Sequence, residues 1–496
     1  MSHYKERLSF REKAGYSLGD AATNFFFQAM LMYQSRFYTD VMGISAATAG
    51  WLFLLVRIFD AGFDPLMGVL SDRTETRWGK FRPWVLWTAI PFGLVLWLSY
   101  TVPNFSSGGK VVYVFITYTL MMMMYSANNT PYSALNGVMT GDVNERTSLS
   151  TFRFVSAMAA TLIVQGFTLP LVEKFGGKNP AHGWSVTFGI FGAIAVVFYV
   201  IAFLSSKERV HPDPKQKTSI IQDLKDVFHS PPWVVMFLIT LCIFVTLSLR
   251  GGLLFYYFTY YVDHNALLNF VKDIGLGNVH AGTSEGWGKT MLGWFGFILQ
   301  PDGSNVTAVG FSVFNMAGNL VTIVGVLVSK PLSIRFGKKA VFLTGIFGTA
   351  LVTAAVFFVP ATSIGWLMFL SLLWPVFYGP TIPLLWAMIA DVADFSEWKT
   401  GRRATGMVYA GIVFALKAGL GLGGAIGGWL LAGYGYVPNA VQSPHALMGI
   451  RLCATLYPAV PFLIAFVAIA LYPISKELNL RIGDELAERR KAFAKA

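Results

Sequence analysis

The chemistry of this chain rests on a few charges embedded in apolar sequence. In LLVRIFDAGFDPLMG, Asp60 and Asp64 stand four residues apart, which puts them on one helical face a turn apart. Arg57 precedes Asp60 by three residues and shares that face. An ion-paired girder locking two helices would need a closer match of charges, because two carboxylates here share one guanidinium. An incompletely paired carboxylate in a low dielectric can carry a proton or hold a hard cation such as Na⁺. Lys417 lies deep in VYAGIVFALKAGLGLGGAIGG with no acidic residue at helical spacing. Its partner must come from another helix or from a ligand.

Other polar groups follow the same logic. Asp20 in GYSLGDAATNFFF has Asn24 on its face at i+4, and Arg153 opens a later apolar stretch. YSANNTPYSALNG gathers Tyr125, Ser126, Asn128, Asn129, Tyr132 and Asn136. Single buried amides serve as helix–helix glue, but this concentration suits a wet polar cavity. Trp374, Tyr378 and Trp386 recur at spacings of four and eight and share roughly one face. Carboxylates, amides and cations that bind hydroxyls, beside aromatic faces that stack on C–H surfaces, are the means of holding a carbohydrate. Packing or contact with lipid is the competing role for each aromatic.

The elements that position these groups must be membrane helices. Of 496 residues, 54% are hydrophobic and only 13% are charged. A soluble domain carries about 25% charged residues, and the abundant apolar material excludes disorder. A spanning helix needs about 20 residues. Apolar runs occur at 14–39, 46–70, 83–102, 111–140, 151–172 and 185–205, then at 233–262, 307–329, 340–359, 364–390, 404–433 and 449–472. This predicts an all-α membrane protein with twelve transmembrane helices in two six-helix bundles. The bundles would occupy 1–206 and 233–475, joined by a charged, Pro-bounded cytoplasmic loop (207–232) with a short surface helix and followed by a cytoplasmic tail (476–496).

Orientation follows from where the basic residues behind the net charge of +12 fall. With both termini cytoplasmic, inside loops hold 27 Lys/Arg and outside loops five, the asymmetry of a multi-pass protein. Membrane topology therefore accounts for the basic balance without nucleic acid. The halves echo each other: GVLSDRTETRWGKFRPWVL and SKPLSIRFGKKAVFL both place a basic aromatic-Gly-Lys turn before a helix. Repeated halves with a site between them are a transporter architecture. Within 263–306, WGKTMLGWFGFIL is too short to span and predicts an interfacial helix rather than a re-entrant gate. Cys242 and Cys453 have no metal-ligand spacing and read as packing residues, and the polar start shows no signal peptide. No nucleophile–base pair or phosphate loop supports an enzyme.

Several motifs together resemble the glycoside–pentoside–hexuronide:cation symporters of the major facilitator superfamily. They are GYSLGDAATNF, FYTDVMGISAATAG, LLVRIFDAGFDPLMG, SDRTETRWGKFRPW, NNTPYSALNGVMT, ERTSLSTFRF, LSLRGGLLFYYF, MIADVADFSEWKTGRRATG and Lys417. The resemblance implies symport of a sugar or glycoside with a cation by alternating access, in the cell inner membrane and without a cofactor. A functional monomer is expected. It matches Asp60 and Asp64 to cation-site carboxylates, Ser126 to a nearby hydroxyl ligand, Asp20 and Arg153 to sugar contacts, and Lys417 to a lysine near both sites. Asn129 falls where one branch has an aspartate, and Phe63 where sodium-using members have Asn. Phe63 offers no ligand, so a proton is the expected coupling ion, with Na⁺ at Asp60, Asp64 and Ser126 as the alternative.

A cavity lined by helices 1, 2, 4, 5, 10 and 11 is expected, with Asp20, Asp60, Asp64, Arg153 and Lys417 converging on it. A membrane sugar sensor or a lipid or lysolipid carrier on the same scaffold is the competing reading. The sensor would tolerate loss of the cation carboxylates, and the carrier would favour an apolar cavity. SDRTETRWGKFRPW and DVADFSEWKTGRR are expected as gate loops, with Asp72, Arg73, Arg82, Asp142, Arg146, Asp391, Asp394 and Arg402 exchanging ion pairs between states. Neutralising Asp72 or Arg73 should slow turnover more than binding. Transport left unchanged with both replaced would remove the gate.

Overall fold

The computed structural model describes residues 7–140, 143–209, 230–276, 287–400 and 405–493. The described elements are helical, apart from one isolated bridge between Thr76 and Gly79. The first six long helices are α1 (Phe10–Arg36), α2 (Ala46–Asp72), α3 (Arg82–Ser99), α4 (Ser107–Met139), α5 (Val143–Gly176) and α6 (Pro180–Ser205). The second set begins with α7 (Pro231–Tyr260), α8 (Val306–Phe336) and α9 (Lys338–Ala355). Helix α10 comes in two pieces, Ile364–Tyr378 and Thr381–Thr400, and is followed by α11 (Thr405–Gly433). Helix α12 is broken between Pro444–Ala454 and Leu456–Ala470, and α13 (Lys476–Phe493) follows it. Among the described residues, nine helices are long and apolar enough to span by themselves. Helices α1 to α3 complete the first bundle by packing, with α1 against α5 and α6, α3 against α4 and α6, and α2 against α4.

Local sequence sets the helix ends. Ser9 and Glu12 form a capping box on α1, Ser45 and Ser106 cap α2 and α4, and Pro opens α6 and α7. Several helices run past their apolar stretches. Helix α5 starts eight residues before the predicted 151, and α10 continues through Thr400. Asp391 and Asp394 therefore sit on helix α10 rather than in a gate loop. The extension is supported by packing. Asp391 meets Lys338 at 2.7 Å, and Trp398 donates to Glu485 of α13 at 2.6 Å.

The second bundle repeats the packing of the first, with α7 on α11 and α12, α9 on α10 and α12, and α8 on α10. Between bundles, α2 packs on α11, α5 on α8 and α1 on α7. The first two contacts are equivalent under exchange of halves, and the third lies on the pseudo-axis. At the end of α1 and the start of α2 this seam is tight. A Cβ on Gly428 would lie 2.4 Å from the Ala46 carbonyl oxygen. Nearby, Tyr436 donates to Asp40 at 2.5 Å, Trp51 and Trp429 rings meet at 4.9 Å, and Arg36 lies 3.6 Å over Phe255. At the opposite end, ties run within a bundle. Lys13 pairs with Glu145 at 2.8 Å, and Glu208 accepts from the backbone N–H groups of Lys80, Phe81 and Arg82. Both ends of the described chain lie at this second end, because α1 starts there and α13 packs on the end of α10.

The predicted surface helix in the middle loop falls in 210–229, outside the described residues. The described parts of the predicted outside loop hold a helix at His264–Val271 and another at Trp287–Trp294. The helix predicted as interfacial is shorter than WGKTMLGWFGFIL, because Gly296 turns the chain with φ +79°. A Cβ there would lie 2.3 Å from the Pro170 carbonyl oxygen, so the turn sits directly on α5. Phe295 and Phe297 hold Phe167 between them, at 4.8 and 5.3 Å. Lys174 donates to the Gly293 and Trp294 carbonyls at 3.1 and 2.7 Å. A segment of the second bundle thus straps the first. Each aromatic pair is worth about 0.5–1.5 kcal/mol beyond its burial. Phe167→Ala should loosen the strap, raising proteolytic cleavage within residues 287–299 while helix content holds. Unchanged cleavage would remove the strap as a constraint.

Candidate functional site

Helices α2, α4 and α11 bring together three positions that the sequence keeps far apart. Lys417 reaches across the seam, ion-paired to Asp64 and 3.0 Å from Asp60, and donates to Ser126 at 3.2 Å. Ser126 in turn donates to Asp60 at 2.9 Å. Arg57 lies 3.6 Å from Asp60, and its guanidinium also meets the Met30 sulfur at 2.9 Å. Asp60, Ser126, Arg57 and Lys417 are all buried. Two cations thus face two carboxylates, and the cluster is neutral as it stands. Burying any one of these charges alone would be costly. The Lys417 ammonium lies amid the oxygens of Asp60, Asp64 and Ser126, the donor set predicted for Na⁺. Those oxygens suit a hard cation, but in this state the ammonium supplies the positive charge.

A second cluster joins α1, α4 and α5. Arg153 grips Asp20 with Nε at 2.5 Å and Nη2 at 3.1 Å. Tyr132 donates to Asp20 at 3.1 Å and lies under the guanidinium at 4.9 Å. Tyr16 stacks on Tyr132 at 4.5 Å, and each hydroxyl meets the other residue's backbone carbonyl. Bidentate Arg–carboxylate geometry is directional as well as strong. From Asp20 a line of amides runs along α1 and across the seam. Asn24 donates to the Asp20 carbonyl at 2.9 Å, and Gln28 approaches Asn24 at 3.5 Å. Gln165 donates to Gln28 and Asn319 to Gln165, both at 2.9 Å.

Beyond this line lies a cavity of about 290 Å³ between the bundles. It is lined from α1, α5, α7, α8 and α10, including Gln28, Gln165, Arg250, Asn315, Trp374 and Tyr378. The prediction also named α2, α4 and α11 as walls; with α1 they enclose smaller cavities beside the cation cluster, one of them lined by Arg57, Tyr125 and Lys417. The five predicted charges therefore form two clusters beside the cavity rather than one set lining it. Trp374 and Tyr378 do line it, with rings 4.6 Å apart.

Other predicted residues fall elsewhere. Trp386 is 38% exposed and absent from the lining, because the break at Gly379–Pro380 interrupts the helical register. Asn128 is fully buried and donates to Thr88 of α3 at 2.7 Å, so it glues helices. Asn129 is half-buried one turn after Ser126. Arg82 donates to the Phe203 carbonyl at 3.0 Å, with its guanidinium 4.7 Å over that ring. Arg73 is exposed at the end of α2, and Asp394 is half-buried. Asp142 and Arg402, with the side chains of Asp72 and Arg146, lie outside the described residues.

Two kinds of residue escaped the sequence reading. Gln28 continues the Asp20–Asn24 spacing by another i+4 step, a signal present but not followed. Arg250 is a mid-span cation of the same class as Lys417. Gln165, Asn315 and Asn319 carried no signal beyond being polar in apolar runs.

The seam at Arg57 offers a direct check. A Cβ on Gly421 would lie 2.7 Å from Arg57 Cγ and 2.9 Å from its Cβ, near the backbone where the side chain cannot swing away. Replacing helical Gly by Ala ordinarily gains about 1 kcal/mol. Gly421→Ala should instead lower thermal stability in detergent, and a rise would refute the close α2–α11 contact.

The chain matches the family described as MFS/sugar transport protein over residues 15–282 and 304–476. It is 35% identical to the inner membrane symporter YicJ of Escherichia coli (strain K12), covering 98% of this chain and 96% of that one. It is 34% identical to the isoprimeverose transporter of Lactiplantibacillus pentosus, over 95% and 90% of the two chains. Among solved structures, a bacterial homolog of the human lysosomal transporter Spinster, inward-facing and unoccupied, superposes with a TM-score of 0.62. That likeness covers 97% of this chain and 99% of the other at 14% identity, and it speaks for the fold. With the helical repeat, the buried charge clusters and these matches together, the chain belongs to the MFS/sugar transport protein family, as one of its glycoside–pentoside–hexuronide:cation symporters.

Proposed function

We propose that this protein is a secondary active transporter that moves a sugar or glycoside together with a proton by alternating access. The observation that carries the reading is the bridge of Lys417 to Asp60 and Asp64. The carboxylates belong to one bundle and the ammonium to the other, so the charge contact spans the seam that alternating access must work. The relatives' names support the substrate class: one is a symporter and another transports the sugar isoprimeverose.

The coupling follows from charge balance. With Lys417 seated, two cations neutralise two carboxylates. Adding a proton or metal cation leaves one positive charge in excess in a low dielectric, which is unfavourable. Arg57 is held by Asp60, the Met30 sulfur and the close Gly421 backbone, so Lys417 is the cation that lets go. Its departure removes a cross-seam tie and frees an ammonium for substrate or for Asp60. A proton needs only one carboxylate, and Asp64 is the more exposed of the two. Na⁺ would need several oxygens where the ammonium now sits, and Phe63 adds none. The 27-to-5 distribution of Lys and Arg supports cytoplasmic termini in a cell inner membrane. The central cavity within one chain supports a functional monomer.

Asp64→Asn should abolish uphill uptake in proteoliposomes while downhill exchange or sugar binding persists at least in part. Uptake driven by a Na⁺ gradient at fixed pH, and indifferent to a protonophore, would defeat the proton reading.

A further inference from the structure

Most charged side chains inside the helices already have a polar partner. Asp20 holds Arg153, Asp60 and Asp64 share Lys417 while Asp60 also meets Arg57, and Arg451 donates to the Phe357 carbonyl at 2.9 Å. Arg250 on α7 differs. Among the described residues it has no carboxylate and no hydrogen-bond acceptor, and its contact is the face of Trp374 at 4.5 Å. Trp374 is itself fixed, since its Nε1 donates to Thr353 at 3.0 Å and its ring meets Tyr378. The aromatic platform therefore holds a guanidinium in place while leaving its N–H donors unused.

Arg250 lines the central cavity, and so does Asn315 of α8. The Asn315 amide nitrogen is buried with no hydrogen-bond partner among the described residues, a second unspent donor from the same bundle. The other amides of the wall are engaged with one another, Gln28 with Gln165 and Gln165 with Asn319. Among the described residues, no acidic side chain lines this cavity. An arriving molecule thus meets donors seeking oxygen acceptors, at a site where unpaired donors are costly.

We propose that Arg250 and Asn315 form a substrate-binding subsite of the second bundle, with Trp374 as the residue that positions Arg250. The subsite takes an oxygen-acceptor edge of the transported sugar, either vicinal hydroxyls or a carboxylate. This rests on the reading of the chain as a sugar symporter. The first bundle presents Gln28 and Gln165 on the same cavity, so a bound sugar touches both halves.

The test uses the full-length protein in proteoliposomes with matched neutral and acidic sugars, such as methyl glucosides and the corresponding methyl glucuronides. Arg250→Gln should raise KM for the transported sugar at least about tenfold, the loss expected for a charge-assisted hydrogen bond. The maximal rate and the cation dependence should stay within about twofold of the parent. Arg250→Lys keeps the charge but loses the planar fork and should fall between the two. A carboxylate ligand shows as selective loss of the acidic sugar, and hydroxyl recognition as weakened uptake of the neutral one. Asn315→Ala should weaken the same sugar, and it carries the test if the Arg250 variants do not reconstitute. KM unchanged within about twofold in the variants, or a fall in maximal rate alone, would overturn the subsite. If the parent protein moves no sugar under any cation gradient, the symport reading itself fails and the subsite falls with it.

Discussion

A charge buried alone in a membrane is costly, and in this protein Asp60 and Asp64 meet their opposite across a bundle seam. The Lys417 ammonium pairs with both carboxylates and donates to Ser126. Much of the surrounding structure serves that meeting. Gly421 lets α11 approach Arg57 closely enough for Lys417, one turn earlier, to reach α2. Ser126 supplies a hydroxyl that both donates to the carboxylate and accepts from the ammonium, so no member of the triad is left bare.

The same seam is built three times over by the pseudo-symmetry of the halves. Helix α2 on α11 and α5 on α8 are equivalent contacts, with α1 on α7 between them. They are closed in different ways. The first uses glycines and paired tryptophans. The second carries the Gln165–Asn319 hydrogen bond, and at its loop end the strap of residues 293–297 lies on Phe167 and Pro170. A scaffold with several tight but small contacts can exchange one set for another, because no single contact dominates the energy.

Polar groups run continuously from Asp20 and Arg153 through Asn24 and Gln28 to the cavity wall. Helices α1 and α4 belong to both charge clusters: α1 carries Asp20 and the Met30 that contacts Arg57, and α4 carries Tyr132 and Ser126. A change at either cluster therefore acts on helices that hold the other.

The membrane class, the six-plus-six repeat and the charges of both clusters are legible in the sequence alone, whereas Arg250 did not stand out there. Apolar runs and lone charges are local features, and their energetic meaning in hydrocarbon does not depend on neighbours. The sequence also supplied the i+4 face of Asp60 and Asp64, because helical spacing is fixed by backbone geometry. Tertiary packing settles which charges pair. Lys417 and Asp64 lie 353 residues apart, and nothing in either segment names the other. It likewise turned Asn128 toward Thr88, broke the face that Trp386 was to share, and brought Arg250 to Trp374. Helix rotation and a break at Gly379–Pro380 settle these matters. Both are set by how twelve helices pack at once, which no single helix encodes.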